Sequence, residues 1–307
     1  MINKRVIFIV LIGIIFSTSL AFAQIPSPLK DVKVTGLVML DSTTGIYTYN
    51  YSIFNPPIND GKIFHFEIDI TKPLNSQELN SAGLVIRRGV KAQGGMIIRS
   101  FEEEVARIKE VLQKPVIPVG AQPPFGQPFP GWITAITVMG TVSWGGSEQS
   151  LILPNQTFGG FILTSYGLPG IRDVKIEPDI DIDNLPEQYW ENIELTKQLE
   201  DSLIYQTKTL GPTAPPADFK PVSFIDYIIS MKHEAFSLGW ITNQGIEQSL
   251  DAKLENAKKK IEQGNKNAAK NILNAFINEV EAQKDKHLTS EAYGLLKYNV
   301  EYLIGRL

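Results

Sequence analysis

The stretch KVTGLVMLDSTTGIYTYNYSIFN, residues 33–55, decides the fold of the first half of the chain. Two runs rich in β-branched and aromatic residues, Lys33–Leu40 and Ile46–Phe54, flank the turn-forming segment Asp41–Gly45. Such runs on either side of a cluster of turn residues predict two β-strands. The stretch therefore indicates an antiparallel β domain.

The second of these runs has two distinct faces. Tyr47, Tyr49 and Tyr51 alternate with Thr48, Asn50 and Ser52. Side chains two residues apart in a strand share a face, so the three tyrosines point the same way. Exposed, they would offer an aromatic platform for sugar rings; buried, they would form half of a core. The polar opposite face favours the core.

Strand-like runs continue to about residue 178. They are Lys62–Ile70, Trp132–Trp144, Ser150–Leu153, Gly160–Ser165 and Ile171–Ile176. Short strands at this spacing predict an all-β, immunoglobulin-like sandwich over residues 24–178. One inserted helix is expected, because the capping box Ser100–Glu103 precedes apolar residues at helical spacing to Leu112.

A proline-rich segment, Pro115–Gly131, interrupts the β pattern. Proline at this density excludes a helix or a central strand, so we expect a long surface loop. Such loops on a rigid scaffold often carry function. Phe125, Phe129 and Trp132 would supply aromatic anchors there, which makes them the candidate binding residues for an extracellular protein or a glycan.

Residues 179–222 predict a connection between two domains. The segment begins with acidic residues and continues as a helical pattern over Pro186–Tyr205, where proline is acceptable in the first turn. Gly211–Pro216 then reads as a semi-rigid linker.

From residue 223 to residue 307 the pattern is helical throughout. A capping-box-like start at Ser223–Asp226 is followed by three further apolar stripes. Gly239, Gly245 and Gly264 fall between the stripes, where glycine can end a helix. Thr289 is the expected N-cap of the last helix. Its expected packing residues are Leu288, Ala292, Leu295, Leu296, Tyr302 and Leu303. The pattern predicts an all-α four-helix bundle.

This region resembles a known helical module, the FIMAH domain. The resemblance rests on Gly239–Asn243, Gly245–Ile246, Ser249–Leu250, Lys253–Leu254, Ala257, Gly264–Asn265, Ala268–Ala269, Ala275–Val280 and Leu288–Ala292. It implies a non-catalytic appendage near the C-terminus of an exported bacterial protein, a context that includes hydrolases. Lys284–Lys286 departs from the family, which often has a glycine in this turn; Asp285 tolerates the left-handed conformation that glycine would supply.

The β domain carries a fainter resemblance. Leu153–Phe161 followed by Ser165–Gly170 is similar to the closing strands of immunoglobulin-like sandwiches in exported bacterial proteins. The similarity lies mostly in turn residues.

The first 23 residues have the order of a secretory signal. Lys4 and Arg5 precede an apolar run, and Ala21–Ala23 form a small-x-small exit. We expect cleavage near Ala23 and a secreted or cell-surface-associated protein. An uncleaved membrane anchor is the alternative, although the apolar run is short for one.

Composition excludes several classes of function. Removal of the signal would leave 27 basic against 33 acidic residues, a net charge of −6, which does not suit nucleic-acid binding. We expect no transmembrane segment in the mature chain. The chain has no cysteine, which excludes disulfides, thiolate metal sites and a cysteine nucleophile.

Two sets of side chains are candidate metal ligands. His65, Glu67 and Asp69 alternate along one predicted strand, and all three residue types bind divalent metals. Alternation is also typical of any half-buried strand. The second set, Asp179, Asp181 and Asp183, begins like a calcium loop but lacks the later glycine and glutamate.

No complete catalytic motif is present. His233–Glu234 opens like a zinc-protease helix, but Ser237 stands where the second histidine is required. The sequence therefore favours a secreted, non-catalytic binding or accessory protein without a cofactor. The alternatives are a secreted hydrolase with an unrecognised metal or carboxylate site in the β domain, and a structural spacer of the envelope.

Overall fold

The computed structural model describes residues 25–70, 118–124, 131–136, 140–181, 185–216 and 218–307. These residues form nine strands and six helices. The strands are β1 (Lys33–Asp41), β2 (Ile46–Asn55), β3 (Ile63–Asp69), β4 (Pro118–Gln122), β5 (Ile133–Ile136), β6 (Thr141–Gly145), β7 (Gln156–Ser165), β8 (Leu168–Pro178) and β9 (Tyr205–Thr213). The helices are α1 (Glu187–Trp190), α2 (Ile193–Leu203), α3 (Pro221–Ser237), α4 (Gln244–Glu262), α5 (Lys266–Gln283) and α6 (Ser290–Ile304).

The strands form two antiparallel sheets. Sheet 1 has the order β1-β2-β7-β4 and sheet 2 the order β5-β6-β3-β8-β9. The predicted first hairpin is confirmed, with Lys33 paired to Phe54 and Asp41 paired to Ile46. Its turn closes because the Asp41 carboxylate accepts bonds from the Thr43 amide at 2.9 Å and the Thr44 hydroxyl at 2.7 Å. Asx-type bonds of this kind pre-form the turn without help from the core.

The two sheets enclose an aromatic core. Tyr47, Tyr49 and Tyr51 are at most 7% exposed, which confirms the core interpretation of the second strand. From sheet 2, Phe66 stacks on Trp144 with ring centroids 4.7 Å apart and meets Phe161 of sheet 1 edge-on at the same distance. Aromatic pairs in these geometries add about 0.5–1.5 kcal/mol each beyond the area they bury.

The predicted N-cap of the last helix, Thr289, is confirmed, and Asn243 and Asn265 cap the two helices before it. The side chains of Asn243, Asn265 and Thr289 each accept a bond from the backbone amide three residues later. Gly239 and Gly264 end their helices at φ of 74° and 73°. Gly245 instead lies in the first turn of α4, because the Asn243 side chain caps that helix just before it. Asp285 takes φ of 60°, so the turn that lacks the family's glycine adopts the left-handed conformation.

Helix α6 packs directly on the β domain, against β1, β8 and β9. A Cβ added to Gly294 would lie 2.3 Å from Val38 Cγ1, so only glycine allows this approach. The buried carboxylate of Glu291 accepts a bond from the Gly36 amide at 2.8 Å, and Asn299 Nδ2 donates to Pro169 O at 2.7 Å. Residues of both regions belong to one continuous hydrophobic core. The expected packing residues of α6 are buried or packed against that core.

Several predicted boundaries differ from the structure. The helix expected over Pro186–Tyr205 is divided into α1 and α2, because the Asn192 side chain caps the start of a second helix, and Tyr205 already begins β9. The run Trp132–Trp144 contains two antiparallel strands, β5 and β6, and Ser150–Leu153 forms only an isolated bridge at Ile152.

Part of the expected loop Pro115–Gly131 is β4, which is possible because Pro118 opens an edge strand, where no ladder bond from a proline nitrogen is needed. Half of the expected linker Gly211–Pro216 belongs to β9, again at a sheet edge. Helix α3 begins at Pro221 rather than at Ser223, because proline is favoured at the first position of a helix.

Two further predictions lie outside the described residues: the signal segment 1–23 and the inserted helix that starts at Ser100. The division of the chain at residues 178 and 222 remains a prediction.

Candidate functional site

The outer face of sheet 2 carries the first set of predicted ligands, His65, Glu67 and Asp69. His65 Nδ1 lies 3.2 Å from Glu177 Oε2 and Glu67 Oε1 lies 3.3 Å from Lys175 Nζ, both across to strand β8. Asp69 interacts electrostatically with Arg172, which also belongs to β8. The three side chains are thus engaged with β8, and the structure does not bring them together around one point.

A cleft of about 360 Å³ lies at one end of this face, between the end of β8 and helix α2. Its acidic lining residues are Glu177, Asp179, Glu200 and Asp201. Its apolar lining residues are Phe64, Pro178, Ile180 and Ile204. None of these lining residues is basic, so the cleft combines apolar walls with negative charge.

The Phe64 side chain reaches the cleft because of a β-bulge. The pairing of β3 with β8 shifts between Ile63 and His65. A bulge re-aims the side chain of the extra residue, here Phe64, which is 39% exposed. An aromatic ring therefore stands open to solvent beside the carboxylates.

Two carboxyl groups of the cleft have pKa values shifted in opposite directions. The interaction with His65 holds the pKa of Glu177 below its usual value. Burial raises the pKa of Asp179, and the charges of Glu148 and Asp181 add to this while Lys62 opposes it. Asp179 thus carries its charge in a site that already disfavours negative charge.

The other two carboxylates, Glu200 and Asp201, are exposed on the last turns of α2. Within the part of the chain that the structure describes, neither makes an ion pair. The acidic charge of α2 at this end is therefore not neutralised by a neighbouring cation. A positively charged group entering the cleft would meet several carboxylates at once.

The second set of predicted ligands is only partly described. Asp179 lines the cleft, Asp181 is exposed beside it, and Asp183 lies outside the described residues. Asp179 and Asp181 influence each other electrostatically. Calcium binding by this set stays a prediction.

The candidate binding residues of the proline-rich segment fall into two groups. Phe125 and Phe129 lie outside the described residues. Trp132 is 4% exposed and packs on Phe161 at 4.9 Å and on Phe158 at 6.1 Å. Its ring is therefore part of the aromatic core. Inside the segment, the end of β4 is tied to the core, since Gln122 O accepts a bond from Trp144 Nε1 at 3.0 Å.

The helical region shows the capped, glycine-ended helices on which its resemblance rests. Residues 236–305 match the FIMAH domain. The FIMAH match covers α4, α5 and α6 and begins at the end of α3. It indicates an exported bacterial protein and says nothing about a reaction or a partner. No curated protein matches the chain.

In the described ranges, the helices, including those of the FIMAH match, are too short or too polar to cross a bilayer.

The acidic cleft was not predicted from the sequence. Phe64 and Glu200 are far apart along the chain, so the sequence does not bring them together. The bulge that turns Phe64 outward is visible only in the structure.

Proposed function

We propose that this is a secreted, non-catalytic binding protein of the bacterial envelope or extracellular space, and that its acidic cleft captures lysine or arginine side chains of a partner protein. The observation that carries the proposal is the lining of the cleft, with four carboxylates, an exposed phenyl ring and no basic side chain. The FIMAH match supports the exported, accessory context.

The chemistry of the cleft suits a long cationic side chain. Lysine and arginine carry an apolar stem and a charged head, so the stem can lie on apolar walls such as Ile180 and Ile204 while the head meets the carboxylates. Phe64 adds a cation–π contact, worth about 0.5–1 kcal/mol at an exposed site. Among the carboxylates of the cleft, a bound cation should stabilise the charge of Asp179 most, because the cation offsets the partial burial of that charge.

The test is the binding of a fluorescently labelled octalysine peptide, measured by anisotropy. We expect saturable binding that weakens with added salt, because the attraction between exposed charges is screened. The double variant Glu200→Gln, Asp201→Asn should weaken binding about tenfold, since each exposed ion pair contributes up to about 1 kcal/mol.

The matched control is the double variant Glu191→Gln, Glu194→Gln. It removes the same charge from exposed positions near the other end of α2, at or beside the first turn. Peptide affinity should stay within about twofold of wild type, because net charge alone contributes little at that separation. Equal weakening by both double variants would show that octalysine binding depends only on the overall charge of the protein. That result would contradict binding in the cleft.

The proline-rich segment remains a second proposed binding surface, for an extracellular protein or a glycan. β4 and the buried Trp132 flank the part of the segment that contains Phe125 and Phe129, and both belong to the folded β domain. Replacing both phenylalanines by alanine should weaken partner binding and leave the melting temperature close to wild type. A large loss of stability would instead assign both rings to the core.

Two other functions remain alternatives. A secreted hydrolase would contain a metal or carboxylate site in the β domain and would turn over a substrate, which a screen of glycan, peptide and ester substrates would detect. An envelope spacer would show no response in a thermal-shift screen of ligands and no octalysine binding. Detection of the native protein in medium, envelope or cytoplasm tests the proposed location directly.

A further inference from the structure

Three metal-ligating side chains converge where α3 packs on α4. His233 comes from α3, and Glu247 and Asp251 stand one turn apart on α4, where residues four apart share a face. His233 Nε2 lies 3.4 Å from Glu247 Oε1 and 3.2 Å from Asp251 Oδ1. All three ligand atoms lie within 4.8 Å of one another.

A buried lysine lies beneath this cluster. The Lys232 side chain is fully buried, and its ammonium group donates to Glu247 Oε1 and lies 3.1 Å from Asp251 Oδ1. One ammonium group facing two carboxylates leaves an excess of one negative charge. A partly buried excess charge is costly unless another cation joins it.

The imidazole nitrogen needs a proton or a metal at this position. Ionised carboxylate oxygens only accept, so a bare Nε2 lone pair facing two of them would be repelled. Asp251 Oδ1 is buried and accepts no hydrogen bond of good geometry, although the nitrogens of Lys232 and His233 are both within 3.2 Å. This buried oxygen therefore lacks the well-formed hydrogen bond that buried polar atoms usually make.

The spacing agrees with zinc coordination. In a tetrahedral site with bonds of about 2.0–2.2 Å, neighbouring ligand atoms are about 3.2–3.6 Å apart. The two separations from His233 Nε2 are 3.2 and 3.4 Å, and the third pair, Glu247 and Asp251, lies within 4.8 Å. A mixed nitrogen and oxygen ligand set favours zinc over calcium or magnesium, which prefer oxygen alone.

We propose that His233, Glu247 and Asp251 bind one Zn²⁺ ion, which clamps α3 to α4 at the start of the FIMAH match. Solvent reaches the site along the His233 side, since that side chain is 54% exposed. In the metal-free protein, Lys232 holds the two carboxylates in place. This inference does not depend on the acidic cleft or on its ligand.

The test is isothermal titration of ZnCl₂ into the purified full chain after treatment with a chelator. Wild type should bind one ion per chain. His233→Gln should weaken binding about tenfold or more, the loss typical of disturbed metal coordination. His287→Gln, elsewhere in the helical region, should leave the affinity unchanged. With Co²⁺ as the probe, wild type should show visible absorption bands that His233→Gln lacks.

Lys232→Met should change the zinc affinity in the opposite direction to His233→Gln. Removing the ammonium group leaves both carboxylates to the metal, so zinc should bind more tightly and raise the melting temperature more than in wild type. If that variant does not fold, Asp251→Asn is the second test, with circular dichroism to confirm helicity and weaker zinc binding expected. Absence of stoichiometric zinc in wild type, or equal affinity in His233→Gln, would overturn the proposal. Zinc that persists in His233→Gln would belong to another site.

Discussion

Glu177 and Asp179 lie two residues apart in one cleft, yet their carboxyl groups respond to opposite influences. His65 stabilises the charge of Glu177, whereas burial destabilises the charge of Asp179. A carboxyl group whose pKa is raised in the folded state lowers stability where it is ionised, and this cost vanishes at low pH. A depressed pKa has the reverse effect.

Asp179→Asn should therefore stabilise the protein at pH 7, by about 1–3 °C in melting temperature. The gain should disappear as pH falls below the ordinary aspartate value of 3.8, where the carboxyl group is neutral in both states. Glu177→Gln is the opposite-sign control, with a loss at pH 7 that fades as pH falls through the depressed pKa of Glu177. Thermal melts of the three proteins from pH 3 to pH 8 measure both effects. A destabilised Asp179→Asn at pH 7 would mean that the carboxylate is favourably paired.

At the scale of elements, the contact of α6 with β1 depends on one glycine. Gly294→Ala would drive a methyl group into Val38, whose β-branched side chain has little freedom to move. Overpacking of this kind costs about 1–3 kcal/mol, and urea denaturation should show a loss of that size. Gly305→Ala, just after the same helix, meets only ordinary contacts at 3.6 Å and should be close to neutral. Similar losses of stability in both variants would show that alanine destabilises helix α6 itself and that the contact with Val38 is not the cause.

Local patterns predicted the elements that depend on local chemistry. The β1–β2 hairpin, the alternating tyrosines and the cap at Thr289 follow from neighbouring residues, and the structure confirms them. β9 was not predicted, because Gly211 and Pro212 suggest a linker unless an edge position in a sheet is available. Gly211 is needed there, since a Cβ would lie 2.9 Å from the Arg172 side chain.

Both candidate sites required the three-dimensional structure. The cleft joins Phe64 to Glu200, and the zinc cluster joins His233 to two carboxylates of the next helix. The sequence correctly showed that His233 lacks a partner at Ser237. It could not show that partners come from α4, because that depends on how the two helices pack.

At the scale of the whole molecule, the FIMAH-matching helices are built into the β domain. Val38 and Leu210 of the sheets and Leu295 and Leu296 of α6 belong to one core. Separation of the two regions would break the buried bond between Glu291 and Gly36, and a hydrogen bond to a carboxylate contributes about 1.5–3 kcal/mol net. It would also expose the shared apolar core to water. Separation of the two regions is therefore unfavourable, and the helices hold a fixed position beside the sandwich.

Differential scanning calorimetry of the wild-type protein and Gly294→Ala tests this integration most directly. A shared core predicts one cooperative transition in wild type, with calorimetric and van't Hoff enthalpies in agreement. In Gly294→Ala the whole transition should move to lower temperature without splitting. Two separate transitions in wild type, with neither of them shifted by Gly294→Ala, would contradict the account.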